Sequence, residues 1–342
     1  MKKCLVSVIV AVYNANEYLE NTIKALMEQS YKNIEIILID DGSSDASLQT
    51  CNLYSKKDNR IIVIHQENKG PGSARNRGII ASRGEYLVFV DSDDYVSPNY
   101  VENLLVAILK NNYDVAIAGF YKRYSDGSTQ KNLAEETSSE KKDLSQEIEY
   151  LVKNALIQGP CWKIFKKEII ILNNVIFHES WKYGEDSYFV YNYLQYVNSW
   201  TSIPVADYYY EIRNSDSLSN KFTREKIRNS IELMKLLKQL CQENEKNVWM
   251  NEMICGCFIT YCDDLVSTDI SLKNKIQNIV WAVENVNKSG WLDNYREKHI
   301  VRKIYQFGIK HNFFVFLYSI ALFRKIAKNI LCKVKKGKKW EN

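Results

Sequence analysis

Carboxylates gather at the ends of two apolar segments in the first third of this 342-residue chain. Asp40 and Asp41 follow the run IEIILI, and Asp91, Asp93 and Asp94 follow the run EYLVFV. Carboxylates that share one edge repel each other unless a cation or hydrogen-bond donors offset their charge. A hard divalent cation such as Mn²⁺ or Mg²⁺ accepts such oxygen ligands together with phosphate oxygens. The pattern predicts a metal site for a phosphate-bearing ligand.

The spacing Asp91-Ser92-Asp93 suits this chemistry, because alternate side chains of a strand point the same way. We expect one of the two carboxylates to hold the metal and its neighbour to take a ribose hydroxyl. A single Asp after a strand is also a common helix cap, and Asp45 is open to that interpretation.

Alternating strands and helices must position these residues. Apolar β-branched runs alternate with helical patterns, which is typical of a parallel sheet with crossover helices. We predict strands at Leu5–Val12, Ile34–Ile39, Ile61–His65, Tyr86–Val90 and Val115–Phe120. We predict helices near Glu17–Gln29, Ser44–Ser55, Ser73–Ala81 and Pro98–Lys110. Such α/β sheets bind ligands beyond the carboxyl ends of their strands, where the carboxylates lie.

The second half of the chain has a different pattern. Residues 125–143 are polar and acidic without an apolar period, which predicts a surface loop or lid. From Thr223 onward the pattern is mainly helical. We therefore predict an α/β domain over 1–220, a helical region over 221–323 and a basic tail over 324–342.

Several other site classes are disfavoured. Cys255, Cys257 and Cys262 lack a fourth ligand at zinc-site spacing, so buried helix cysteines are expected. The turn NKGPGSARNRG follows the third predicted strand and departs from GxGxxG, which argues against a dinucleotide loop. The start MKKCLVSVIVAVYN imitates a signal peptide, but it passes directly into a helical pattern. A buried first strand in an intracellular protein is the better interpretation.

The C-terminal segment is basic and partly apolar. Residues 324–342 carry eight Lys and Arg against one Glu, within a chain of net charge +5. The preceding run HNFFVFLYSIALF is too short to cross a bilayer, which takes about 20 apolar residues. We expect peripheral contact with an anionic membrane. The alternative is a terminal helix packed on the domain with a solvated tail. A nucleic-acid arm is disfavoured because the first half of the chain lacks the paired basic and aromatic residues that nucleic-acid-binding proteins display.

Three segments in order resemble the motifs of family 2 glycosyltransferases, over roughly residues 5–220. They are VSVIVAVYNANEYLENTIKALMEQSYKNIEIILIDDGSSD, NKGPGSARNRGIIASRGEYLVFVDSDDYVSP and YGEDSYF. The resemblance implies the GT-A fold, a Rossmann-like, mostly parallel sheet flanked by helices. It also implies a nucleotide diphosphate sugar donor, such as a UDP-sugar, with Mn²⁺ or Mg²⁺, and inversion at the anomeric carbon.

The resemblance also implies roles for individual residues. Ala11, Val12 and Tyr13 would form the first nucleotide-contacting turn, although many relatives have Pro in place of Ala11. Asp41 would hydrogen-bond uracil, and Arg75 would lie near the nucleotide. For Arg75 the alternative is a surface salt bridge.

In the segment KYGEDSYF, Glu185 and Asp186 resemble the family's Glu-Asp pair, whose Asp takes the acceptor proton. Such a pair is also favoured at a helix N-terminus for electrostatic reasons alone. Trp162 would contact the sugar, with a core position as the alternative. Arg213 would close on the diphosphate.

The resulting prediction is an inverting hexosyltransferase of cell-surface polysaccharide synthesis. It would use a glycan or a lipid-linked acceptor at the inner face of the membrane. The rival hypothesis is a non-catalytic nucleotide-sugar-binding protein of the same fold.

Overall fold

The computed structural model describes residues 4–139, 144–213, 222–241, 248–291 and 299–337. Within these ranges the strands form one sheet, whose order is Ile61–Gln66 (β3), Ile34–Asp41 (β2), Val6–Val12 (β1), Tyr86–Asp91 (β4), Lys163–Lys166 (β9), Val115–Tyr124 (β6), Trp200–Ile212 (β10) and Tyr95–Val96 (β5). The long pairings in this sheet are parallel, and the short ones are antiparallel. The fold is the predicted α/β sheet flanked by helices.

Four parallel strands make the first half of the sheet. In Val6–Val12, Ile34–Asp41 and Tyr86–Asp91 the apolar residues are buried almost without interruption, as is typical of parallel sheets covered by helices, whereas Ile62, Val63 and Ile64 of the remaining strand are only partly buried. The strands are β1 (Val6–Val12), β2 (Ile34–Asp41), β3 (Ile61–Gln66) and β4 (Tyr86–Asp91). The helices that follow each of them in turn are α1 (Asn16–Met27), α2 (Ser47–Ser55), α3 (Pro71–Ala81) and, after β5 (Tyr95–Val96), α4 (Tyr100–Leu109). The sequence predicted each of these strands and helices except the two-residue β5.

The second half of the sheet is mixed. Its strands are β6 (Val115–Tyr124), β7 (Thr129–Asn132), β8 (Thr137–Ser139), β9 (Lys163–Lys166) and β10 (Trp200–Ile212). The helices here are α5 (Leu144–Lys153), α6 (Lys167–Leu172) and α7 (Glu185–Leu194). The predicted surface loop or lid over 125–143 contains two short strands in its described part, because β7 pairs with β6 and β8 pairs with β10, while β7 lies at the surface as expected.

The chain divides into two compact units. The described part of the first comprises residues 4–139, 144–213 and 236–241, and that of the second comprises residues 222–235, 248–291 and 299–337. The predicted boundary near Asn220 lies outside the described residues.

The second unit is helical, as predicted. Its helices are α8 (Glu225–Leu240), which begins in this unit, α9 (Val248–Val266), α10 (Leu272–Lys288), α11 (Ile300–Lys310) and α12 (Phe314–Gly337). Cys255 and Cys262 are buried in α9. Across the described segments, none of the helices combines the length and apolarity needed to span a membrane.

Candidate active site

The site is built at the carboxyl edge of β1, β2 and β4. Asp41, the last residue of β2, is buried and accepts hydrogen bonds from the backbone N–H of Lys69 (2.9 Å) and of Gly70 (2.8 Å). The Gln66 side-chain amide donates to the same carboxylate at 2.8 Å. Gly70 has φ +93°, a left-handed conformation that glycine adopts readily, and α3 begins at the next residue. Asp41 therefore fixes the start of the helix that carries Arg75.

Arg75 joins two distant parts of the chain. Its guanidinium donates to Asp186 Oδ1 at 2.7 Å and to Asp91 Oδ1 at 2.9 Å, and it lies 3.6 Å from Glu185 Oε1. We call these four residues the inner cluster. Burial alone would lower the pKa of Arg75, but the three carboxylates raise it well above its ordinary value. The alternative of a surface salt bridge for Arg75 is wrong, because the side chain is buried.

The next residue of α3 secures the segment that leads to α7. The Asn76 side chain accepts a hydrogen bond from the Phe177 N–H (2.8 Å) and donates to the Phe177 carbonyl (2.9 Å). Phe177 is stacked on Phe189 of α7 at 4.1 Å between ring centroids. Helix α7 starts after Gly184, which has φ +81°, and so presents Glu185 and Asp186 in its first turn. Helix α3 thus holds the segment before α7 through Asn76 and the first turn of α7 through Arg75.

The environment of Asp186 suits a proton acceptor. Burial raises the pKa of its carboxyl to about 7, Arg75 offsets part of that effect, and the charges of Glu185 and Asp91 add to it. Even so, 32% of the side chain is exposed, so an incoming group can reach it. Lys163 also contributes a charge nearby. Burial lowers the pKa of Lys163 to about 7, and its ammonium donates to the Gly159 and Cys161 carbonyls.

The three carboxylates after β4 diverge. We expected Asp91 and Asp93 to point the same way along a strand, and this is wrong because β4 ends at Asp91 and the next residues form a turn. Asp91 contacts Arg75, whereas Asp93 pairs with Arg213. Asp94 is buried and accepts from the Tyr208 hydroxyl (2.6 Å) and the Glu211 N–H (2.9 Å). Asp94 thus stabilises the turn.

Arg213 and Asp93 form what we call the outer pair. The Arg213 guanidinium also donates to the Asp93 carbonyl at 2.5 Å and lies over the Tyr18 ring at 3.7 Å. Burial and the charge of Asp91 raise the pKa of the Asp93 carboxyl, while Arg213 lowers it. The Asp93 side chain remains 46% exposed, beside a cleft of about 290 Å³ lined by α1, Arg123 and both members of the pair.

The remaining predicted residues are placed as follows. Ala11 and Val12 end β1, opposite Asp91 and Asp40 respectively, and Tyr13 is exposed next to them. Their contact with a nucleotide and the uracil contact of Asp41 remain predictions.

Trp162 is nearly buried in a packing position. Its indole is stacked on Phe120 at 4.0 Å between ring centroids, and its N–H donates to the Leu156 carbonyl. The structure therefore gives Trp162 a place in the core, and its contact with a sugar remains a prediction.

Tyr208 is a residue that the sequence did not single out. Its hydroxyl accepts from the Asp91 N–H (3.2 Å) and donates to Asp94, so it links the end of β4 to the turn. The run ADYYYEI could have indicated this residue, because it reads as a strand and strand alternation places Tyr208 and Tyr210 on one face.

The family model for glycosyl transferase family 2 matches residues 7–171, which include the inner-cluster residues Arg75 and Asp91 and the outer-pair residue Asp93. EpsH of Bacillus subtilis (strain 168), described as a glycosyltransferase, is 32% identical over 252 residues, which is 72% of each chain. The chain belongs to glycosyltransferase family 2. This membership confirms the resemblance to family 2 glycosyltransferases that the motifs suggested.

Two further similarities are informative. The minor teichoic acid biosynthesis protein GgaB of B. subtilis is 31% identical over 216 residues, covering 62% of this chain and 23% of GgaB. The crystal structure of S. aureus TarS 1–349 in complex with UDP-GlcNAc matches with a TM-score of 0.67 at 20% identity, over 94% of this chain and 92% of that one. The TarS match confirms the GT-A fold of this family 2 glycosyltransferase.

Proposed function

We propose that this glycosyltransferase moves a hexose from a UDP-sugar to a hydroxyl of a glycan or lipid-linked acceptor, with inversion at the anomeric carbon. The observation that carries the proposal is the inner cluster. There Arg75 connects the carboxylate that follows β4 to a carboxylate whose pKa lies near neutrality. A binding protein without chemistry would not need that second group.

Asp186 is the proposed general base. An acceptor hydroxyl that attacks the anomeric carbon becomes acidic as the new bond forms, and a carboxylate with a pKa near 7 is matched to receive its proton. Charge-assisted hydrogen bonding to Arg75 fixes the orientation of this carboxylate before an acceptor arrives. Glu185, at 3.6 Å from the same guanidinium, supports that arrangement electrostatically.

The carboxylates after β4 fit a divalent cation in part. Asp91 and Asp93 carry oxygen donors, and burial together with the charge of Asp91 raises the pKa of Asp93, effects that a bound cation would offset. In the segments that the structure describes, no three His, Cys, Asp or Glu side chains converge as a closed cage. The proposed ligands are therefore Asp93 together with donor phosphates, with Asp91, which Arg75 holds, contributing its charge beside them. Mn²⁺ or Mg²⁺ bound there would stabilise the charge on the leaving diphosphate.

The donor and acceptor classes rest on similarity. TarS has been crystallised with UDP-GlcNAc and with UDP, which supports a UDP-sugar donor for this chain. The name of GgaB refers to teichoic acid biosynthesis, which supports a cell-surface polymer or its lipid-linked precursor as the acceptor. The proposed location is the cytoplasm, in peripheral contact with the anionic inner face of the membrane.

A donor screen with the purified protein tests the proposal. Transfer from one UDP-sugar to an acceptor extract should be abolished by a chelator and restored by Mn²⁺ or Mg²⁺. Asp93→Asn should remove the metal-dependent turnover, because an amide replaces a charged ligand. NMR of the anomeric proton should show a β product from an α donor. Retained configuration would exclude the inverting mechanism, and undiminished transfer by Asp93→Asn would exclude the metal assignment.

A further inference from the structure

Helix α11 exposes a row of large apolar side chains. Ile300, Ile304 and Phe307 recur at intervals of four and three residues, which places them on one side of the helix. The same helix buries Tyr305 and Ile309 within the helical unit. Helix α11 therefore packs one apolar side against the helical unit and exposes a second apolar side to solvent.

Helix α12 repeats this arrangement. Leu317 and Ala321 are buried, one turn apart. The exposed apolar residues of this helix are Val315, Phe316, Leu322, Phe323 and Ile326. At about 100° per residue, these five positions centre on the side opposite Leu317 and Ala321. We call them, together with Ile300, Ile304 and Phe307 of α11, the apolar stripe.

An aromatic corner makes the stripe continuous between the two helices. The Phe307 ring lies 5.6 Å from the ring of Phe313, which lies 6.5 Å from that of Phe316. His311 packs on Phe307 at 4.5 Å between ring centroids. Both helices thus present one shared apolar surface. Contiguous exposed apolar surface of this kind marks an interaction site on a soluble domain.

The charge of the surrounding sequence indicates what the stripe meets. Residues 300–342 contain eleven Lys and Arg and a single acidic residue, Glu341. Lys303 and Lys310 are exposed on α11. A second copy of this chain docked on the stripe would bring two such basic segments together, which like-charge repulsion opposes. An anionic bilayer offers opposite charge at its headgroups and an apolar layer below them.

We propose that the apolar stripe docks lengthwise on an anionic bilayer, with Phe307 and Phe323 as anchors below the headgroups. This inference rests on the membrane location in the proposed function, and it replaces a contact through the basic tail alone. The basic segment supplies long-range attraction. The stripe supplies the apolar burial that holds both helices in the plane of the interface.

Cosedimentation with vesicles tests the stripe. The full chain is mixed with vesicles of phosphatidylcholine and phosphatidylglycerol, and with phosphatidylcholine alone. Phe307→Ser/Phe323→Ser should lower the partition coefficient for the anionic vesicles by roughly tenfold or more, since burying one Phe side chain favours binding by that order. Leu172→Ser is the matched control, because Leu172 is 74% exposed on α6 and Phe323 is 72% exposed. The control variant should bind as the wild type does.

The outcomes separate this inference from the proposed function. Wild-type vesicle binding by the double variant would overturn the docking role of the stripe. If that binding still weakened with salt, the basic segment alone would account for membrane contact. A wild-type dimer that became monomeric in the double variant, without vesicle binding by either, would identify the stripe as a homodimer face. Transfer to a soluble acceptor, measured on the same samples, reports separately on catalysis and folding.

Discussion

The inner cluster and the outer pair are both ion pairs between an arginine and carboxylates, but the arginine is buried in the first and partly exposed in the second. Arg75 is buried and contacts three carboxylates, two of which lie more than a hundred positions away in the sequence. Arg213 is partly exposed and, among the carboxylates that the structure describes, pairs with Asp93, over the Tyr18 ring. The inner guanidinium organises residues from three elements, whereas the outer one covers a single carboxylate.

The difference indicates which group can move. An ion pair near solvent contributes only about 0–1 kcal/mol, so Asp93 can exchange Arg213 for a cation at little cost. Separating a buried guanidinium from its carboxylates leaves uncompensated charge and costs several times more. The inner cluster is therefore a fixed platform for proton transfer, and the outer pair is the part that can reorganise when a donor binds.

The largest expected effect comes from removing the base. Asp186→Asn should lower turnover by ~10² or more, because the acceptor hydroxyl must then lose its proton to water. Donor affinity and metal dependence should be retained in an equilibrium binding measurement. Glu185→Gln is the matched control and should reduce turnover less. Near-normal turnover of Asp186→Asn would contradict the role assigned to the inner cluster.

A smaller effect is expected from Arg75→Gln, read from the pH dependence of turnover. The base works only when ionised, so wild-type turnover should rise as the pH increases through about 7, the pKa of Asp186. Arg75 lowers that pKa, so its removal should move the rise to higher pH and reduce turnover at pH 7 by roughly tenfold. If the rise of turnover with pH stayed at the wild-type pH in the variant, or moved to lower pH, Arg75 would not lower the pKa of Asp186.

The smallest effect is expected at the outer pair. Arg213→Gln should raise the KM for the donor by about fivefold or less, with kcat nearly unchanged, because an exposed pair contributes little binding energy. Steady-state kinetics at saturating metal measure both constants. If kcat fell as far as in Arg75→Gln, the distinction between a fixed inner cluster and a replaceable outer pair would be lost.

The sequence predicted the parallel half of the fold well because β1, β2 and β4 are buried almost throughout and all four strands read as mainly apolar runs. It missed β7 and β8 because the polar run around Thr129 and Thr137 has no apolar period. Strands at a sheet margin can form from such residues through backbone hydrogen bonds alone. The sequence did not predict the short strand β9, because four residues are too few to show a strand periodicity.

The sequence predicted which residues belong to the candidate site, but it did not predict which of them contact each other. Motif resemblance indicated Arg75 and Asp186, and the carboxylates at the end of a predicted strand indicated Asp91. No spacing rule could show that one guanidinium contacts carboxylates at positions 91 and 186. The divergence of Asp91 and Asp93 was also hidden, because it depends on where β4 ends, and element boundaries are the least certain part of a sequence-based prediction.

The attachments of α3 have a consequence for engineering. Asn76 secures the backbone of Phe177, and Arg75 secures Asp186, so residues 178–184 run between two fixed points. Glu179, Ser180 and Lys182 within that stretch are exposed. Loops from other family members grafted into this stretch should therefore leave the following carboxylate in place, provided that they keep Glu179, which accepts a hydrogen bond from Asn76, and Gly184, after which α7 starts.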